Sequence, residues 1–291
     1  MNPALQSAIK TLSYLSFSPG VLPQLKPRLL SSIDVESKPN FLTQIDNVSS
    51  LSHLGLVTKD RVEGLISAFD PEKASSIPKA SLTKLLQINS NAMVNSLRTR
   101  PLRVPPLPQL SPPALPPAFS TDNKNLSKDK VDDLGRMKRF RTEFKQFFPA
   151  GQVKTDSSTK YLIDGPWLHP SGHIVDIVIV VDRSGNVLPV PDALVKALTL
   201  GESTTDLTAE ALSISAHLQP DTHAIAVLLL DVFDFTVYSE MPVGEKINAS
   251  RDLRAFGFKP CLVSLRQFYI ETKSRRTEFI NKAVSGALEP V

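Results

Sequence analysis

The chain has 291 residues, an apolar fraction of 41% and a formal net charge of +4, which fits about two ordinary domains with buried cores. No apolar run reaches the ~20 residues of a membrane-spanning helix, so no such span is expected. A single cysteine excludes a disulfide framework and a cysteine-ligated zinc site, as in a reducing compartment or the mitochondrial matrix.

Basic residues concentrate at Arg98 to Arg103, Arg136 to Lys145 and Lys246 to Arg276, whereas Asp182 to Asp221 holds few. Such asymmetry favours a polyanionic partner. At the start of the chain the first acid is Asp34, preceded by Lys10, Lys26, Arg28 and several serines, the bias of a mitochondrial transit peptide. The same stretch also reads as a helical repeat. Leu12 to Phe17 is echoed by Leu51 to Leu56, and Val21/Leu22, Leu25 and Leu29 by Val62, Leu65 and Phe69. The offset of about 40 residues suits two-helix solenoid units. Two copies bury little surface by themselves, so the repeat is expected to be the remnant of a longer array.

A further helix is predicted over Lys79 to Met93 from the spacing of Leu82, Leu85, Leu86, Ile88 and Met93. Then Pro101, Pro105, Pro106, Pro108, Pro112, Pro113, Pro116 and Pro117 remove backbone donors and predict a semi-rigid polyproline linker. Arg100 and Arg103 flank it in the manner of an SH3-type ligand. Arg136, Lys138, Arg139 and Arg141 alternate with Phe140, Phe144, Phe147 and Phe148. This segment reads either as an amphipathic helix with a solvated basic face or as a face that contacts nucleic-acid phosphates.

Lys160 to Asp164 and Ile174 to Asp182 are predicted strands flanking a Gly-Pro-Trp turn, with a tight turn at Ser184–Gly185–Asn186. Trp167 reads as closing a core edge or stacking a base. Helices are expected over Pro191 to Leu200 and Leu207 to Leu218. The seven-residue run Ala224 to Leu230 predicts a strand buried on both faces, since neither face tolerates water. A helix from Lys246 to Phe256 follows, with Ile247, Leu253 and Phe256 on its apolar face and Gly257 as a left-handed cap. The strand Cys261 to Leu265 completes a strand-helix-strand unit and buries its cysteine. His169 and His173 flank a Pro-Ser-Gly turn, without the helical spacing or third ligand of a zinc site.

These residues, in this order, resemble the C-terminal part of the FAST kinase domain family, mitochondrial proteins with two FAST subdomains followed by a RAP domain. Pro170 to Asp176, Val180–Val181–Asp182 and Val187–Leu188–Pro189 are similar to the second FAST subdomain. Lys84 to Asn89 resembles the close of the first. The RAP-like elements are Ala226 to Asp231, Asp234–Phe235, Gly244, Arg251, Leu253, Gly257–Phe258, Val263 to Leu265 and Phe268. The resemblance implies an α+β multidomain chain: helical repeats with the first FAST subdomain over residues 1–97, a linker over 98–129, the second subdomain over 130–220 and a RAP domain over 221–285. The linker's composition and the shortness of the repeat array depart from the family and suggest a truncated member or an incomplete gene sequence.

The resemblance also implies RNA binding in the mitochondrial matrix, acting in RNA processing, stability or translation, with mitochondrial RNA and other RNA-processing proteins as partners. The expected phosphate contacts are Arg136, Lys138, Arg139, Arg141, Lys246, Arg251, Arg254 and Lys259. Kinase chemistry is not expected, because the glycine-rich loop, strand lysine and His-Arg-Asp loop are missing from the sequence. The RAP domain resembles a restriction-endonuclease-like fold of PD-(D/E)XK type, in which acidic groups converge on a divalent metal. Asp176, Asp231 and Asp234 are the candidates, and Mg2+ would be needed only if the chain cuts RNA. Phe233 stands where the catalytic lysine would follow Asp231. Binding without cutting, cutting, and a non-catalytic scaffold are therefore the three readings. Asp176 lies in a buried strand and needs a partner: a metal, Arg251 or Arg254, or a backbone donor.

Overall fold

A strand that is apolar on both faces has to lie between two layers, and Ala224 to Leu230 does so. We describe a computed structural model in which residues 3–14, 40–97, 102–104, 139–144, 162–198, 205–231, 234–235 and 241–289 are defined. The helices α1 (Pro3–Tyr14), α2 (Phe41–His53), α3 (Lys59–Ser67) and α4 (Lys79–Val94) come first. They are followed by β1 (Leu102–Val104), β2 (Leu162–Leu168), β3 (Ile174–Asp182), β4 (Val187–Leu188), α5 (Asp192–Ala197), β5 (Thr205–Leu207) and α6 (Ala209–Leu212). The chain continues with β6 (Thr222–Leu230), α7 (Gly244–Ala255), β7 (Phe258–Ser264), α8 (Leu265–Ile270) and α9 (Lys273–Leu288).

The main sheet has the order β2-β3-β6-β7, with β4 also paired to β3. Its pairs are antiparallel except for β6 and β7, which run parallel from Ala224↔Phe258 to Leu230↔Ser264. The predicted strand-helix-strand unit is thus β6-α7-β7, and Gly257 caps α7 at φ 96°. Alternation along β6 divides its side chains. Ile225, Val227 and Leu229 face a core with Phe140, Phe144, Cys261, Phe268 and Ile280. Ala224, Ala226 and Leu228 face Ala249 and Leu253 of α7 and Leu194 of α5. Burying each large apolar side chain contributes about 1.5–3 kcal/mol, and the small residues of the second face let α7 lie close.

The helices α1 to α4 form a third core, around Ile45, Leu51, Val62, Leu65, Leu82, Leu85 and Leu86, that also takes in Leu168, Leu212 and Phe256. This helical layer packs on α7 through α1, α2 and α4. At the start of α2, Asn40 accepts the Thr43 N–H at 2.8 Å, the usual way to satisfy an orphan donor of a first turn.

Several expectations change. The division at 220/221 falls within one sheet, because β3 and β6 pair from Ile177↔Val227 to Asp182↔Thr222. The predicted linker begins with a strand: Leu102 and Val104 are buried and β1 pairs with β5, Leu102↔Leu207 to Val104↔Thr205. Residues 105–129 lie outside the described residues, as do Phe147 and Phe148. Gly165–Pro166 is not a turn. β2 runs through it with a register shift between Asp164 and Trp167, which an edge strand tolerates because proline has no N–H to leave unpaired. The chain reverses instead at residues 169–173, where His169 N–H donates to the His173 carbonyl (2.9 Å) and Gly172 N–H to that of His169 (2.8 Å). The helix predicted over Leu207 to Leu218 is broken, since Leu207 is held by β1 and the Ile214 N–H donates to the Phe256 carbonyl at 2.9 Å. Ile247 is 37% exposed rather than part of the buried face of α7. The turn at Ser184–Gly185–Asn186 is present, and the Asn186 side chain, with backbone N–H groups, holds the Asp182 carboxyl below its usual range.

Gly172 has φ 84°, and a Cβ there would lie 2.7 Å from both Gln87 N and Thr83 O of α4. Gly172→Ala is expected to cost about 2–4 kcal/mol, from left-handed strain plus overpacking against backbone. Gly64, inside α3 with open space around it, should behave oppositely, Gly64→Ala stabilising by about 0.5–1 kcal/mol. Urea unfolding of the two variants tests both signs.

Candidate functional site

Side-chain alternation along β3 breaks at Asp176. Val175 packs with Val178 and Val180 on the α7 side, while Ile177 packs with Ile179 and Val181 on the other. The ladder to β6 ends at Ile177↔Val227, so the next β6 donor would be lost. Asp176 supplies the missing acceptor: its Oδ2 takes the Leu229 N–H at 2.9 Å. Its Oδ1 takes Arg141 Nη2 at 2.7 Å, with the two side chains only 10% and 8% exposed. Burial pushes the Asp176 carboxyl up, and the Leu229 N–H, Arg141 and Lys246 pull it back. The partner is therefore Arg141 together with a backbone donor, not Arg251 or Arg254.

Beyond the carboxyl end of β6, Asp231 and Asp234 close a reciprocal turn. Asp234 N–H donates to Asp231 Oδ1 (3.1 Å) and Asp231 N–H to Asp234 Oδ2 (3.0 Å). Lys246, in the first turn of α7, lies 3.5 Å from Asp234 Oδ1. Burial raises the Asp234 carboxyl and Lys246 opposes that rise. The carboxyl ends of strands are where open α/β sheets bind ligands, and this end gathers Arg141, Asp176, Asp234 and Lys246. The arrangement does not fit a Mg2+ ion. A hard dication needs free carboxylate oxygens, yet both oxygens of Asp176 accept protein donors, and Asp231 and Asp234 each cap the other's backbone. Among the described residues no group of three or more His, Cys, Asp or Glu side chains is placed to hold a metal.

The expected phosphate contacts fall into several settings. Arg136 and Lys138 lie outside the described residues. Arg139 and Arg254 are exposed and Lys259 is half-buried on β7. Arg141 is buried against Asp176, so its guanidinium is not offered to solvent as expected. Lys246 pairs with Asp234, and Arg251 donates to Asp252 Oδ1 through Nε (3.2 Å) and Nη2 (3.0 Å). Sequence reasoning passed over Arg266, Lys273, Arg275 and Lys282, all exposed on α8 and α9. Residues 251–289 hold eight Lys and Arg against four Asp and Glu, which equals the whole net charge of +4. The density of Lys and Arg in that stretch was the available signal. Arg276 is different: it lies 5.0 Å from the Phe268 and Tyr269 ring centroids and donates to Glu143 at 2.8 and 3.1 Å. It ties residues 139–144 to α9 across the Phe140 and Phe144 core.

The two histidines also serve the fold. His173 Nε2 is 2.9 Å from Asp252 Oδ2 of α7, both buried, and His169 bonds within its own turn. Cys261 is buried, and burial pushes its thiol up to about 12, so it is inert packing. No described helix is long and apolar enough to cross a membrane. Compared with known protein-family models and with curated proteins, the chain matches none.

Removing Arg141 would leave a buried carboxylate without its cation. Arg141→Met should cost about 3–5 kcal/mol at pH 8. Because the folded Asp176 carboxyl is then raised further above the unfolded one, the folded state binds a proton more tightly. Stability is greatest below the unfolded value of ~3.9 and is lost as pH rises through the folded value. The denaturation midpoint of Arg141→Met should therefore fall more between pH 5 and pH 8 than that of the parent, and adding Asp176→Leu should recover most of the loss.

Proposed function

We propose that this chain binds single-stranded RNA without cutting it, and acts in the processing, stability or translation of mitochondrial RNA alongside other RNA-processing proteins. The observation that carries the reading is the exposure of the cations of residues 251–289, with Arg254, Arg266, Lys273, Arg275 and Lys282 open to solvent and the acid Glu278 exposed among them. Lys and Arg in such an array neutralise phosphates and release counterions. Cleavage is disfavoured because the carboxylates at the end of β6 already accept Arg141, Lys246 and backbone N–H groups.

The parallel β6-α7-β7 unit inside a mixed sheet is in keeping with a RAP-like, restriction-endonuclease-like fold. A helical-repeat origin for the N-terminal layer is supported by the echo of Leu12 to Phe17 in Leu51 to Leu56; the Val21, Leu22, Leu25 and Leu29 part of the first copy lies outside the described residues. The basic, acid-poor segment before Asp34 and the single buried cysteine support a mitochondrial location.

A fluorescently labelled single-stranded RNA should bind with an affinity that falls linearly on a logarithmic salt scale between 50 and 200 mM. Replacing Arg254, Arg266 and Arg275 together by Gln should reduce the slope by about 2, near 0.7 for each lost phosphate contact. Binding that ignores salt, or a triple variant that binds as tightly as the parent, would remove the proposal.

A further inference from the structure

The turn between β2 and β3 joins the helical layer to the sheet. Gln87 Nε2 of α4 donates to the Gly172 carbonyl at 3.0 Å, and a Cβ at position 172 would collide with the α4 backbone. The shape of the turn depends on His169. Its Nδ1 accepts the Ser171 backbone N–H (3.1 Å) and meets the Ser171 hydroxyl (2.7 Å). A backbone N–H can only donate, so Nδ1 must carry a lone pair. Protonated there, the ring would confront the Ser171 N–H as a second donor.

The surroundings offer such a proton little. The His169 ring lies edge-on to Phe258 (5.5 Å between centroids) and tilted to Phe256 (6.4 Å). The facing groups of α4, Thr83 and Gln87, do not titrate. Within the turn, His173 is committed to Asp252, which also holds Arg251. From the helical layer His53 of α2 reaches the same place, bonded to Ser13 of α1 and facing Glu245, His173, Asp252 and Arg251. Burial, then His173, holds His169 down to about 3. Burial also holds His53 below its usual range, with Glu245 opposing.

We propose that the His169 turn is an acid-released latch: with a neutral ring it docks α4 onto the sheet layer, and proton uptake at Nδ1 frees the helical layer. A histidine whose folded value is depressed contributes fully above the free value of ~6.5, and its contribution is lost as pH falls toward the folded value. Docking should therefore weaken by up to about tenfold per pH unit for His169 between pH 6.5 and 3. His53 acts with the same sign. None of this depends on RNA binding.

Hydrogen exchange on the full chain at pH 7.5, 5.5 and 4.5, corrected for intrinsic rates, tests the latch. The opening constant of α4 amides should rise about tenfold per unit at the acid end, while β6 amides from Ala224 to Leu230 keep their protection. His169→Asn places a non-titrating Oδ1 where Nδ1 accepts the Ser171 N–H, and should remove most of the α4 response, leaving the share due to His53; His53→Gln should reduce it only in part. An α4 response that persists unchanged in His169→Asn would overturn the proposal. So would parallel loss of protection in α4 and β6 of the unaltered chain, a comparison that stands whether or not the variant folds.

Discussion

A carboxylate placed inside a sheet has to be satisfied on every side, and the fold is arranged around that requirement at Asp176. One oxygen completes the β3-β6 ladder at Leu229 and the other draws Arg141, with residues 139–144, down onto the sheet. Phe140 and Phe144 follow into the core beside Phe268, and Arg276 fastens the same segment from outside through Glu143. Buried ion pairs contribute little net stability. Here the consequence is positional, since the pair sits where β3 stops pairing with β6 and holds the segment that covers that face.

The same arrangement separates two roles at the carboxyl end of β6. A metal-dependent site needs acidic oxygens turned outward to share a cation, whereas here Asp176, Asp231 and Asp234 face donors of the protein itself. Exposed cations remain on α7, α8 and α9, at Arg254, Arg266, Lys273, Arg275 and Lys282, with Glu278 exposed among them. Surface cations spaced along helices suit a flexible polyanion, whose phosphates are met one at a time.

Local periodicity made much of the fold legible. The double-sided apolar run of β6, the αL glycine at 257, the acceptor turn after Asp182 and the helical spacing of Phe140 and Phe144 are signals contained within a few residues. What stayed hidden is non-local. Asp176 meets Arg141 from 35 residues away and His173 meets Asp252 from 79, and no periodicity reports such pairings. β1 looked like linker because prolines surround it, and only pairing with β5 gives Leu102 and Val104 a reason to be buried. The edge position of β2, which excuses Pro166, is likewise a property of the sheet. The concentration of cations was legible as composition, but burial alone distinguishes Arg141 from Arg139.

Addition of single-stranded RNA to isotopically labelled protein, followed by amide resonances, tests the central claim most directly. Amides of α8 and α9 near Arg266, Lys273, Arg275 and Lys282 should shift, while the Leu229 and Asp234 amides, held by Asp176 and Asp231, should not. Shifts centred on Leu229 and Asp234, with α8 and α9 silent, would place RNA over the carboxylates and contradict the account.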